Sequence, residues 1–89
     1  MADVKLTPRA ARIVAAGKAL ASDRWQSALS RASGVSQAYL SMIASGDRPV
    51  TDEVDRKVAE GLLGEADRKR ELATKLDDIA GKILRSLDG

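Results

Sequence analysis

Gln37, Ala38, Ser41 and Met42 are spaced to share one face of a helix, with the edge of Tyr39 beside them. A carboxamide, a methyl, a hydroxyl and a thioether recognise another surface by hydrogen bonds and apolar contact; they do not break bonds. Catalytic groups are scarce elsewhere. The chain has no histidine and no cysteine, so the commonest general base, the commonest zinc ligand and all thiolate chemistry are missing. Its seven glycines are scattered singly, which excludes the usual phosphate loop, and no Ser/His/Asp set or nucleophile elbow is present. The acidic residues are spread among lysines and arginines instead of clustering. The expectation is a protein that is not an enzyme and that needs no cofactor or metal.

Positioning that face requires helices. Alanine, leucine, lysine, arginine and glutamate dominate, phenylalanine is absent, and β-branched residues never alternate, so the fold class is all-α. Five helical segments are expected. The first opens at Thr7-Pro8 and ends near Ala21, with Ala10, Ile13, Val14, Gly17 and Leu20 inward. The second opens at Asp23, which forms a capping-box pattern with Gln26, and ends at Gly34; Trp25, Ala28, Leu29 and Ala32 follow at helical spacing. The third is capped by Ser36, anchored by Tyr39, Leu40 and Ile43, and stopped by Gly46. The fourth begins at Thr51, with Asp52 and Glu53 in its positive first turn and Val54, Val58, Leu62 and Leu63 as its buried stripe. The fifth runs from about Glu65 to Leu87. Only Gly34 and Val35 separate the second helix from the third, so the two must cross steeply, with Val35 plugging the angle.

The stretch from Ala28 to Arg48 resembles the lambda-repressor-like family of helix-turn-helix domains, the Cro/C1-type repressors. Leu29, Ser33, Gly34, Val35 and Ser36, followed by Tyr39, Leu40, Ser41, Ile43 and Gly46, carry the likeness, which extends more loosely over residues 7–63. It implies a compact domain of four to five helices that binds double-stranded DNA as a twofold dimer, with helix 36–45 in the major groove. On that likeness Gln37, Ala38, Ser41 and Met42 contact bases: Gln37 suits adenine N6 and N7, while Ala38 and Met42 offer apolar surface to a thymine methyl. Gln26 matches the family position that clasps a backbone phosphate, and Ser36, Tyr39, Ser45, Arg48, Arg24 and Arg31 complete the expected phosphate contacts. The helix starts at Asp23 and Ser36 would aim backbone N–H groups at phosphates. Three departures stand out: Ser30 where alanine is usual, Trp25 in place of a cap-like threonine or serine, and Asp47 at an often basic position. Trp25 and Asp47 bear on the flanking phosphate contacts, not on the base-reading face.

The rest of the chain frames this reading. Residues 1–48 hold seven basic residues against three acidic, and residues 49–89 hold eight against ten, so an anionic partner belongs to the first half. Arg9, Arg12, Lys18, Arg24 and Arg31 together suggest a phosphate-facing side. Residues 1–63 form the expected DNA-binding domain, and residues 64–89 a C-terminal amphipathic helix. Leu72, Leu76, Ile79 and Ile83 follow the four-three-four spacing of a helix seam, and Leu84 and Leu87 widen it. That stripe either meets a second copy or another protein, or packs on its own domain. The N-terminus lacks the apolar core of a secretory signal and no apolar run approaches membrane-spanning length. The expected protein is therefore a cytoplasmic, homodimeric transcriptional regulator, a repressor, reading a short inverted repeat. The alternative is a protein-interaction module, such as an antitoxin or antiactivator, acting through the C-terminal helix.

Overall fold

Thr7 and Pro8 begin the first helix by their chemistry. The Thr7 hydroxyl accepts the Ala10 N–H at 3.1 Å, and Pro8 occupies the first position, where its missing donor costs nothing. The structure, a computed structural model, describes residues 6–88. Residues 1–5 and Gly89 lie outside it, and with them the N-terminal stretch read for a signal and the outer ends of both expected segments. Among the described residues there are four helices and no strand: α1 (Pro8–Leu20), α2 (Trp25–Ser33), α3 (Gln37–Ser45) and α4 (Asp52–Asp88). None of the four is long and apolar enough to cross a membrane.

Local chemistry sets most of the boundaries. Gly34 and Gly46 both take positive φ, at 80° and 83°, and close α2 and α3 as left-handed caps. Ser36 caps α3 through the Tyr39 N–H at 3.1 Å. Thr51 caps α4 through the Val54 N–H at 3.2 Å. The expected start of α2 at Asp23 is corrected. Asp23 and Arg24 form a turn, α2 starts at Trp25, and no side chain caps it. The governing contact is distant in sequence. The Trp25 indole is buried against Gly17 of α1, where an added Cβ would run into the ring. Seating that ring decides where the helix begins, over the local preference for a capping box.

The expected fourth and fifth helices are one continuous helix. Gly64 alone costs only about 1 kcal/mol in a helix interior. No proline follows it, and Glu65 is a poor cap residue with which to restart a helix. Glu65 instead pairs along the helix with Arg68 and with Lys69, which supports the junction. A Cβ on Gly64 would meet nothing within 4 Å. Gly64→Ala should therefore raise stability by up to about 1 kcal/mol, through helix propensity alone. A thermal melt followed by circular dichroism checks this, and a lower midpoint would mean the helix is not continuous there.

One core holds the body together. It is built from Ala10 and Ile13 of α1, Trp25 and Leu29 of α2, Val35 in the turn, Leu40 and Ile43 of α3, and Val50, Val54 and Val58 at the start of α4. Leu29, Leu40 and Ile43 are 0% exposed. Leu63, expected beside the buried stripe, faces solvent instead. α2 is central and packs on the other three helices. Its approach to α4 is close: a Cβ on Gly61 would stand 2.6 Å from the Ala32 carbonyl oxygen. Arg9 ties the first turns of α1 and α4 by bonding Asp55 at 2.6 and 2.9 Å and Asp52 at 2.7 Å. Those carboxylates, Asp55 before Asp52, raise the Arg9 pKa above its ordinary value.

Beyond this body α4 continues alone. From Asp67 to Asp88 every residue except Gly81 is exposed, and the molecule is 63 Å long by 30 and 20 Å across. Leu72, Leu76, Ile79, Ile83, Leu84 and Leu87 are 53–76% exposed. The stripe does not pack on its own domain.

Candidate nucleic-acid interface

α3 has two unlike sides. Leu40 and Ile43 point into the core and fix the helix against α1 and α2. Gln37, Ala38, Ser41 and Met42 lie on the opposite side and are all exposed, Met42 at 38%. Among the described residues, neither the Gln37 carboxamide nor the Ser41 hydroxyl is taken up by a hydrogen bond within the chain. The four residues expected to share a face do so. They are presented rigidly because the buried leucine and isoleucine on the other side leave α3 no freedom to roll.

The flanks of α3 are more committed. Tyr39 is half-buried, and its hydroxyl donates to the Pro49 carbonyl at 3.1 Å, drawing the turn after α3 against the helix. Its only proton is thus already used. The Ser45 hydroxyl lies 2.8 Å from the Asp47 carboxylate and 3.1 Å from the Met42 carbonyl. An anion approaching Ser45 would meet the charge of Asp47 first. Arg48, next in the turn, is exposed, and among the described residues it forms no ion pair with an acidic side chain.

The α2 side of the expected set divides. Arg24 is exposed at the uncapped start of α2, and Gln26 is half-buried one residue inside it. The first hydrogen bond of that helix is from the Ala28 N–H to the Arg24 carbonyl at 3.0 Å, so the preceding amides have no intrahelical acceptor. They and the Arg24 guanidinium form a positive end suited to an anion. Arg31 lies elsewhere. It lines a cleft with Leu20, Ala28 and Glu65, where α2 meets α1 and α4, and its guanidinium donates to Ser27 Oγ at 3.5 Å.

The chain matches no family model, no curated protein and no solved structure.

Arg9, expected among the phosphate-facing cations, is not free to join them, because Asp52 and Asp55 already neutralise it. No signal in the sequence marked that pairing, since its partners lie on another helix more than forty positions away. The link between Ser45 and Asp47 was missed as well. Two residues apart at a glycine-capped helix end, a hydroxyl and a carboxylate are close enough to bond, and that spacing could have indicated it.

Proposed function

We propose that this chain is a sequence-specific double-stranded DNA-binding transcriptional regulator of the lambda-repressor-like helix-turn-helix kind. It acts in the cytoplasm as a repressor and inserts α3 into the major groove. The observation that carries the reading is the unoccupied outer face of α3, with Gln37, Ala38, Ser41 and Met42 free while Leu40 and Ile43 are fully buried behind them. In this reading Gln37 holds an adenine edge through its paired donor and acceptor, Ser41 meets a base edge or phosphate, and Ala38 and Met42 contact thymine methyls. Arg24, Gln26, Ser36 and the open amides of α2 hold one phosphate run, and Arg48 the other. Tyr39 acts by shaping the turn that carries Arg48. Asp47 keeps phosphate off Ser45, and Arg31 contributes long-range charge only.

The test is a titration of the protein against duplex DNA from upstream of its own gene at several salt concentrations. Affinity should fall steeply with salt, because each neutralised phosphate releases counterions. Gln37→Ala should weaken binding by about 1–3 kcal/mol, with the loss concentrated at one base pair of the site. Binding indifferent to salt, or an equal loss on every sequence tried, would remove base reading by Gln37. The exposed stripe of Leu72, Leu76, Ile79 and Ile83 favours a second reading, a protein-interaction module such as an antitoxin or antiactivator. The two roles coexist readily, since the stripe and the α3 face are different surfaces.

A further inference from the structure

The arm of α4 repeats the pattern that buries its own beginning. Val54, Val58 and Gly61 face the body, and Leu72, Leu76 and Ile79 stand about five turns further along the same helix, on the same side. Whatever covers the stripe therefore lies on the side where α2 already sits, just past its end. A parallel, in-register copy is excluded by that geometry. Paired helices stand about 8–10 Å apart, and at the level of Gly61 that space is filled by α2, whose Ala32 carbonyl would be 2.6 Å from a Cβ there. To clear two intervening α2 layers, the α4 helices would have to diverge by roughly 20 Å over the roughly 16 Å of axis between Gly61 and Leu72. A straight helix cannot do that and keep its seam paired.

The stripe is also symmetric. Its midpoint falls between Ile79 and Ala80; Leu72 and Leu87 are equally distant from it, as are Leu76 and Ile83. Run antiparallel against itself, the arm sets Leu72 on Leu87, Leu76 on Ile83 and Ile79 beside Ala80; Leu84 falls outside this symmetry, level with Lys75. Along that central seam large residues meet large or small ones without a charge between them. Lys75 and Lys82 stay at the margin, and Lys82 is held by Asp78 at 3.2 Å. Self-complementarity about a midpoint is what a twofold contact between identical chains requires. The six residues expose several hundred Å² of apolar surface per chain, so a mirrored pair that covers most of it comes near the roughly 1,200 Å² lower end of specific interfaces.

We infer that the occupant of the stripe is a second copy of this chain, its α4 arm antiparallel and centred between Ile79 and Ala80, with the two bodies at opposite ends. The Val58 positions of the two copies then stand about 64 Å apart along the axis.

The test needs no DNA, so its failure and that of the DNA-binding reading are separable. The chain has no cysteine, and single thiols can be placed at will. The unmodified protein should have the mass of two chains in solution, and Leu76→Asp the mass of one with its helical signal largely kept. Leu72→Cys and Leu87→Cys, mixed and treated with a short thiol-reactive linker, should give a covalent dimer joining position 72 to position 87. Either variant alone should give none, because identical positions are then about 22 Å apart. A solution mass other than two chains, or cross-linking of Leu72→Cys to itself, overturns the arrangement.

Discussion

Leu40→Ala should cost about 2–5 kcal/mol of stability and release α3 from the body. Leu40 is 0% exposed and packs in the core with Ile43, Leu29 and Val35. Truncation removes its apolar contacts and leaves a void between short helices whose backbones are already close, so little can collapse to fill it. A domain of this size has only about 5–15 kcal/mol in total, and at about 4–8 °C per kcal/mol the melting midpoint should fall by roughly 8–40 °C. Met42→Ala, on the outer side of the same helix, should leave it within about 0.5 kcal/mol. Urea or thermal unfolding of the two variants makes the comparison. Equal midpoints would mean that α3 is not held by its buried side, and the proposed rigid presentation of Gln37 would go with it.

Gly61→Ala should be destabilising by about 1–3 kcal/mol even though alanine is the better helix former. The added methyl would stand 2.6 Å from the Ala32 carbonyl oxygen, 2.8 Å from the carbonyl carbon and 3.0 Å from Ser33 Cα. All three are backbone atoms, so no rotamer change relieves the contact and α4 must move off α2. The displaced packing includes Val58, a core residue one turn away. Gly64→Ala, on the same helix with open space around it, should change stability in the opposite sense. The pair separates a steric cause from a helix-propensity one in a single set of melts. A gain for both would show that α2 and α4 do not approach as described.

These glycines also mark how far the sequence could be read. Gly34 and Gly46 were legible as helix ends because a positive φ after an apolar period is a local requirement. Thr7-Pro8 and Ser36 were legible for the same reason: each cap bonds an amide three residues on. Val35 was legible as the plug between α2 and α3, since so short a turn leaves it nowhere else to go. The start of α2 was not, because the Trp25 contact with Gly17 outweighs a plausible capping box at Asp23. The continuity of α4 was not, because a lone glycine is a weak break and the pairing of Glu65 with Arg68 and Lys69 offsets it. Of the candidate site, the outward quartet on α3 followed from helical spacing. The commitments of Tyr39, Ser45 and Arg9 depend on the paths of the turn and of α4, which no local pattern encodes.

The chain has a single tryptophan and a single tyrosine. The indole rests on α1 at Gly17, and the phenol sits at the edge of α3 with its hydroxyl on the Pro49 carbonyl. Indole fluorescence therefore watches the seam between α1 and α2, while the near-ultraviolet signal of the phenol watches the end of α3. The body carries its own pair of optical probes, one for the scaffold and one for the edge of the reading face, and neither requires a label.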